Sequence, residues 1–204
     1  SNQPEIGVSK GFAEFGGNSL SGGAFGGNAK VGGNLKMGEK AALRVAAYYT
    51  RIAGYLDAVQ PNLGTNHDVN GGDRTGVRAA VLMRPNDKLS ITPRLLYQEV
   101  KMDGWNRADA YNILANPYTT TRPALNLGER QQFTQIEEPF TDKFLLGDLN
   151  IRYSFGSVDL TSVTSYTDRD VLVVRDATAL TASITGGSIG LPESVYTIDA
   201  PLDD

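Results

Sequence analysis

The run Gly76-Val77-Arg78-Ala79-Ala80-Val81-Leu82-Met83-Arg84-Pro85-Asn86-Asp87-Lys88-Leu89-Ser90-Ile91-Thr92-Pro93-Arg94-Leu95-Leu96-Tyr97-Gln98 decides the fold. Val77, Ala79, Val81 and Met83 alternate with Arg78, Ala80, Leu82 and Arg84. Beyond the interruption, Leu89, Ile91, Leu95 and Tyr97 alternate with Ser90, Thr92, Arg94 and Gln98. A period of two places each set on one face of an extended strand. The joining residues Pro85-Asn86-Asp87-Lys88 carry turn chemistry, with proline pre-setting φ and Asn-Asp following it, so the run reads as a β-hairpin.

The same alternation recurs on either side. Leu43, Val45, Ala47 and Tyr49 oppose Arg44, Ala46, Tyr48 and Thr50, and Leu145, Leu149, Ile151 and Tyr153 oppose Phe144, Asp148, Asn150 and Arg152. Ile6 to Phe15 and Val158 to Asp170 read as further extended segments, the second rich in Thr, Ser, Val and Tyr. Gly22 to Leu35, punctuated by Gly-Gly-Asn at positions 26–28 and 32–34, reads as a long strand thinned by glycine. That makes about seven strands. Met37-Gly38-Glu39-Lys40 and Phe155-Gly156-Ser157 supply two more tight turns. The other connections, near 57–73, 102–141 and from 175 onward, are long and polar. Short turns and long loops therefore alternate down the chain, and all three tight turns fall on one side if each strand pairs with its sequence neighbour.

Composition narrows the classes. The chain has 204 residues, 23 glycines, no cysteine and a formal net charge of -4. No apolar run reaches the length of a helical membrane span, and disulfide scaffolds are excluded. The acidic balance and lack of a basic block argue against nucleic acid as a partner. Alternation with short turns, long loops and aromatics near strand ends (Tyr55, Tyr97, Tyr153, Phe155, Tyr166) suits a transmembrane barrel and also a β-sandwich; alternation alone leaves both open.

The order of these segments resembles a known family. The residues that carry the likeness are Lys40-Ala41-Ala42-Leu43-Arg44-Val45-Ala46-Ala47-Tyr48-Tyr49 leading to Gly54-Tyr55-Leu56-Asp57, then Asp68-Val69-Asn70 before Asp73-Arg74. They continue through Gly76 to Asp87 into Leu89-Ser90-Ile91-Thr92-Pro93, with Leu160-Thr161-Ser162-Val163-Thr164-Ser165-Tyr166 similar to another strand. Together they resemble the barrel of the TonB-dependent outer-membrane receptors. The resemblance implies an all-β, antiparallel up-and-down transmembrane β-barrel segment with short periplasmic turns and long extracellular loops, part of a closed barrel of about 22 strands. It also implies active uptake of a scarce ligand (an iron chelate such as a ferric siderophore, a vitamin or an oligosaccharide), outer-membrane lipid around the wall, and contact with the TonB complex only through an N-terminal plug. No plug, signal peptide or aromatic closing strand is recognisable in 1–204, so a partial barrel domain is expected. The competing expectation is a secreted or periplasmic carbohydrate-binding β-sandwich, which would bury Leu43, Val45, Val77 and Val81.

Motifs for reaction chemistry are weak, and neither an enzyme nor a cofactor is expected. Gly186-Gly187-Ser188-Ile189-Gly190 matches the serine-hydrolase elbow, yet the single histidine, His67, precedes it, against the required order. His67 beside Asp68 reads as a solvated loop histidine rather than a metal ligand. Glu137 and Glu138, being adjacent, point to opposite sides if extended. For ligand binding the outer loop supplies Trp105, Arg107, Tyr111, Tyr118 and Arg122, with Asn112, Asn116 and Arg130 nearby. Stacking rings and guanidinium forks suit sugars or anionic chelates.

Overall fold

Seven long strands form one antiparallel sheet in which every neighbour in space is the next long strand in sequence. The computed structural model describes residues 3–60, 64–108, 127–134 and 136–176. The long strands are β1 (Lys10–Ser19), β2 (Phe25–Lys36), β3 (Ala41–Ile52), β6 (Gly72–Asn86), β7 (Leu89–Met102), β9 (Phe140–Ser154) and β10 (Asp159–Val173). Their order is β1-β2-β3-β6-β7-β9-β10, an open meander whose edges are β1 and β10. Short strands β4 (Asp57–Gln60), β5 (Gly64–Asn66) and β8 (Gln131–Phe133) make a second sheet out of the long connections. No described helix is long and apolar enough to cross a membrane.

The period-two reading predicts which residues share a face, and the register bears it out. Leu43 pairs with Val81, Val45 with Ala79 and Ala47 with Val77. Tyr97 then follows Val77, and Leu145 follows Tyr97. The opposite face aligns Lys30 with Tyr48, Tyr48 with Gly76 and Gly76 with Gln98. The glycine-rich segment is β2, and its Gly-Gly-Asn run at 26–28 lies antiparallel to the run at 16–18. Asn28 pairs with Gly16 and Asn18 with Gly26. Each asparagine side chain occupies the space a Cβ on the opposing glycine would need, at 2.2 Å for Gly16 and 2.6 Å for Gly26. These glycines therefore serve strand packing rather than turns.

Three expectations need adjustment. The first strand begins at Lys10 rather than Ile6; the preceding residues form a strap, with Gly7 at φ 84°. The long connections carry strands of their own, because their backbone groups find partners in β4, β5 and β8. The sheet is open rather than a closed barrel among the described residues, so β10 keeps one unpaired edge and all fifteen of its residues are exposed. The tight turns lie where expected. Gly38 and Gly156 take positive φ, and the Asn86 side chain accepts hydrogen bonds from the Lys88 and Leu89 amides.

Burial along the sheet falls on the polar side, against the burial of Leu43, Val45, Val77 and Val81 that a sandwich would require. Leu43, Val45 and Val81 are half-buried and Val77 is exposed. The buried strand residues Asn34, Ala42, Ala80, Leu82 and Thr92 all stand on the polar face. Asn34 is fully buried: its Nδ2 donates to the Glu5 and Val8 carbonyls at 2.8 and 2.7 Å, and its Oδ1 accepts from the Glu5 amide, pinning the strap across that face.

The Tyr48 ring lies over Gly76, where a Cβ would meet it at 2.5 Å, and its hydroxyl donates to Gln98 Oε1 at 2.6 Å. Gly76→Val is expected to displace the ring, lose that bond and cost about 1–3 kcal/mol. Gly147 has open space where its Cβ would stand, and Gly147→Ala is expected to stay within about 0.5 kcal/mol of the parent. Urea unfolding of both variants checks the contrast.

Candidate functional site

The ends of the sheet differ because its connections differ. At one end lie the tight turns; at the other, three connections fold against one another. Ala24 N donates to Gly54 O, Val69 N to Leu56 O, Asp103 N to Gly71 O and Asp57 N to Arg130 O. Gly54 is required at this crossing, since a Cβ there would sit 2.1 Å from the Asp68 carbonyl oxygen. Asn70, buried, accepts from the Tyr55 and Leu56 amides at 2.7 and 2.8 Å and donates to Asn106 Oδ1 at 2.6 Å. Arg130 reaches from the third connection to the Ser21 carbonyl at 2.6 Å. The hydrophobic core cluster is here too, as Leu56, Ala58 and Val69 with Tyr55 against them.

This assembly forms a half-open cavity of about 500 Å³ between β3, the small sheet and the segment before β9. That volume is within the usual range for small-ligand sites. Its polar lining includes Arg51, Asp68, Asp103, Gln132, Glu137 and Glu138. Arg51 pairs with Asp73 at 3.0 Å and reaches Asp103 at 3.9 Å. His67, also in the lining, pairs through Nδ1 with Asp57 at 3.1 Å and is largely exposed. Glu138 is buried and Glu137 exposed, the opposite-side arrangement their adjacency predicts. Gln132 pairs with Ala58 across β4 and β8, which fixes its side chain among the buried residues of the small sheet.

Two buried acceptors in this lining have no hydrogen-bond partner: Gln132 Oε1 and Glu138 Oε2. Such atoms cost free energy unless something donates to them. Among the described residues no group of three His, Cys, Asp or Glu is placed to hold a metal ion.

Of the outer-loop candidates, the structure describes Trp105 and Arg107; Tyr111, Tyr118 and Arg122 lie outside the described residues, as do Asn112, Asn116 and the 186–190 motif. Trp105 donates to the Val174 carbonyl at 2.9 Å, meets the Phe140 ring edge-on at 5.4 Å and carries the Arg175 guanidinium 3.7 Å from its ring centre. Arg107 donates to Glu138 Oε1 at 3.2 Å and to the Phe133 carbonyl at 3.4 Å. Both brace the cavity wall from outside it. The residues that line it (Gln132, Asp103, Asp68) carry no composition signal and become neighbours only through loop packing.

The two sheet faces complete the geometry. From β3 to β9 the apolar face holds no charge between the tight turns and a row formed by Arg51, Asp73 and Lys101, with Glu99 and Lys143 beside it. The polar face carries Arg44, Arg74, Arg78 and Arg94; Arg94 pairs with Asp148 at 2.6 Å, and Arg74 donates to Gln98 Oε1 at 2.6 Å. No protein-family model, no curated protein and no solved structure matches the chain.

Arg107→Met is expected to leave the buried Glu138 carboxylate without its cation and to cost about 1.5–3 kcal/mol. Pairing it with Glu138→Leu is expected to recover part of that loss, because both partners are then apolar. Chemical unfolding of the single and double variants, with hydrogen exchange at the Phe133 and Thr134 amides, measures both effects.

Proposed function

We propose that this chain forms part of the wall of a TonB-dependent receptor, an outer-membrane β-barrel that takes up a scarce ligand, with the loop-end cavity on the outer, ligand-capturing side. The observation that carries the reading is the uncovered apolar face. Antiparallel sheets in water bury the apolar side and expose the polar one. Here Phe15 and Phe25 are each 78% exposed and Leu95 is 51% exposed, while the buried strand residues belong to the polar side. Hydrocarbon is the solvent that suits such a face.

The dimensions agree. On β7 the apolar face carries no charge from Leu89 to Tyr97, about nine residues, which at ~3.3 Å per residue and a tilt of ~40° spans roughly 20 Å of bilayer, close to the ~25 Å apolar band of such barrels. Tyr49 and Tyr97 stand beneath the charged row, and Tyr153 meets Phe155 edge-on at 4.7 Å beside the opposite turns. Aromatic girdles occupy these two levels in membrane barrels. In this reading the tight turns are periplasmic, the polar face looks into the lumen, and further strands cover the edges of β1 and β10, since open edges are costly in lipid. The wall performs no reaction; it holds capture loops at the surface and lines the path that TonB-driven plug movement would open.

Leu149 lies mid-band on the apolar face and Thr167 on the polar face. Leu149→Lys is expected to destabilise the bilayer-inserted chain by about 2–4 kcal/mol, and Thr167→Lys by no more than about 0.5 kcal/mol. The assay is heat-modifiable gel mobility and urea unfolding in lipid vesicles, with the flanking strands of the reading frame present. A monomer from residues 1–204 that folds cooperatively without detergent and tolerates both lysines would overturn the wall reading and favour the carbohydrate-binding sandwich.

A further inference from the structure

We infer that the loop-end cavity binds a ligand unit rich in hydrogen-bond donors, carrying hydroxyl or ammonium groups, and rejects carboxylate- or phosphate-terminated ones. Its side of the membrane rests on the receptor reading; its chemistry rests on the lining alone. The lining offers acceptors in excess. Asp68, Asp103, Glu137 and Glu138 contribute carboxylates and Gln132 an amide oxygen, against the Arg51 guanidinium, already shared between Asp73 and Asp103, and the His67 imidazole, already paired with Asp57; Asn66 and Thr134 add groups that both donate and accept.

The buried acceptors sharpen this. Gln132 is 1% exposed and its Oε1 has no donor. Glu138 uses Oε1 for Arg107 and the Asp176 amide, at 3.2 and 2.8 Å, and leaves Oε2 without one. A carboxylate or phosphate ligand would add acceptors where donors are few and would bring like charge against the lining carboxylates. Hydroxyl and ammonium groups supply donors, and vicinal hydroxyls do so without adding charge. Discrimination by unpaired polar groups is the strongest kind a small site achieves.

The anionic chelates and stacked sugars suggested by Trp105 and Arg107 therefore do not describe this cavity. Trp105 spends its N–H on Val174 and its ring on Phe140 and Arg175, and Arg107 is held by Glu138. Contact here is through hydrogen bonds to carboxylates and Gln132, with Val69, Met102 and Ile136 as the apolar floor.

The test uses three sugars that differ only at the sixth carbon: 6-amino-6-deoxyglucose, glucose and glucuronate, offered to the full chain and followed by saturation-transfer NMR. The amino sugar and glucose are expected to bind saturably, with glucuronate about tenfold weaker or worse. Glu137→Gln, an exposed site, is expected to weaken the amino sugar about fivefold. Gln132→Leu is expected to weaken both binders while the thermal midpoint holds or rises, because an orphaned acceptor has been removed. Equal or tighter binding of glucuronate, or no saturation by any of the three, overturns the inference. Binding by a chain that folds without detergent would keep the cavity assignment and remove the membrane reading. Insertion into vesicles with no saccharide binding would do the reverse.

Discussion

The structure depends on backbone pairing between strands that share almost no core. Each long strand hydrogen-bonds to its neighbour along most of its length, through fifteen registered pairs between β9 and β10 and twelve between β3 and β6. Those bonds fix which side chains stand on which face, because a slip of one residue would exchange the faces. Nothing described packs on the apolar side. The energy that normally comes from a second layer of structure must then come from the medium against that face, and backbone pairing keeps the strands from presenting unpaired amides to it. The apolar band, the charged row above it and the turns below it follow from this one register.

The loop end obeys a different constraint. Its connections leave the sheet at separate points and have no ladder to continue, so their backbone groups must be satisfied by crossing contacts. Asn70 does this for Tyr55 and Leu56, the parallel pairing of β4 with β8 for the next residues, and Arg130 for the link back to Ser21. With Leu56, Ala58 and Val69 packed beneath them, these contacts give the loops a small core. A binding cavity needs walls held in place, and here the pairing of half-buried Arg107 with buried Glu138 and the Trp105 indole supply the bracing. The aromatic and guanidinium groups that look most ligand-like in sequence are consumed by that task.

What could be read from the sequence follows the same division. Strands Ala41–Ile52, Gly72–Asn86 and Leu89–Met102 announce themselves because alternation is a local signal, and the tight turns because Gly38, Asn86 and Gly156 are local devices. The glycine-rich β2 is harder: its Gly-Gly-Asn runs make sense only when set against each other across β1, a partner separated by the turn at 20–24. The strap through Glu5 and Val8 is invisible in the same way, since its anchor is Asn34 on another strand. The cavity was least legible. Asp68, Asp103, Gln132 and Glu138 come from three stretches of chain and share no spacing rule; only the folding of two long connections onto each other makes them neighbours.

The net charge of -4 conceals two opposed fields. The polar face of β3, β6 and β7 carries Arg44, Arg74, Arg78 and Arg94 and, between Gly72 and Leu82, no carboxylate, whereas the charged groups lining the cavity at the loop end are the four carboxylates of Asp68, Asp103, Glu137 and Glu138 against Arg51. If the polar face lines the path away from the cavity, a strongly cationic ligand gains on capture and loses on passage, and a strongly anionic one meets the reverse. A polyhydroxylated ligand of small net charge satisfies the buried acceptors of Gln132 and Glu138 without being repelled by the arginines. Within the donor-rich class, the two fields taken together favour hydroxyl over ammonium as the group that does most of the binding.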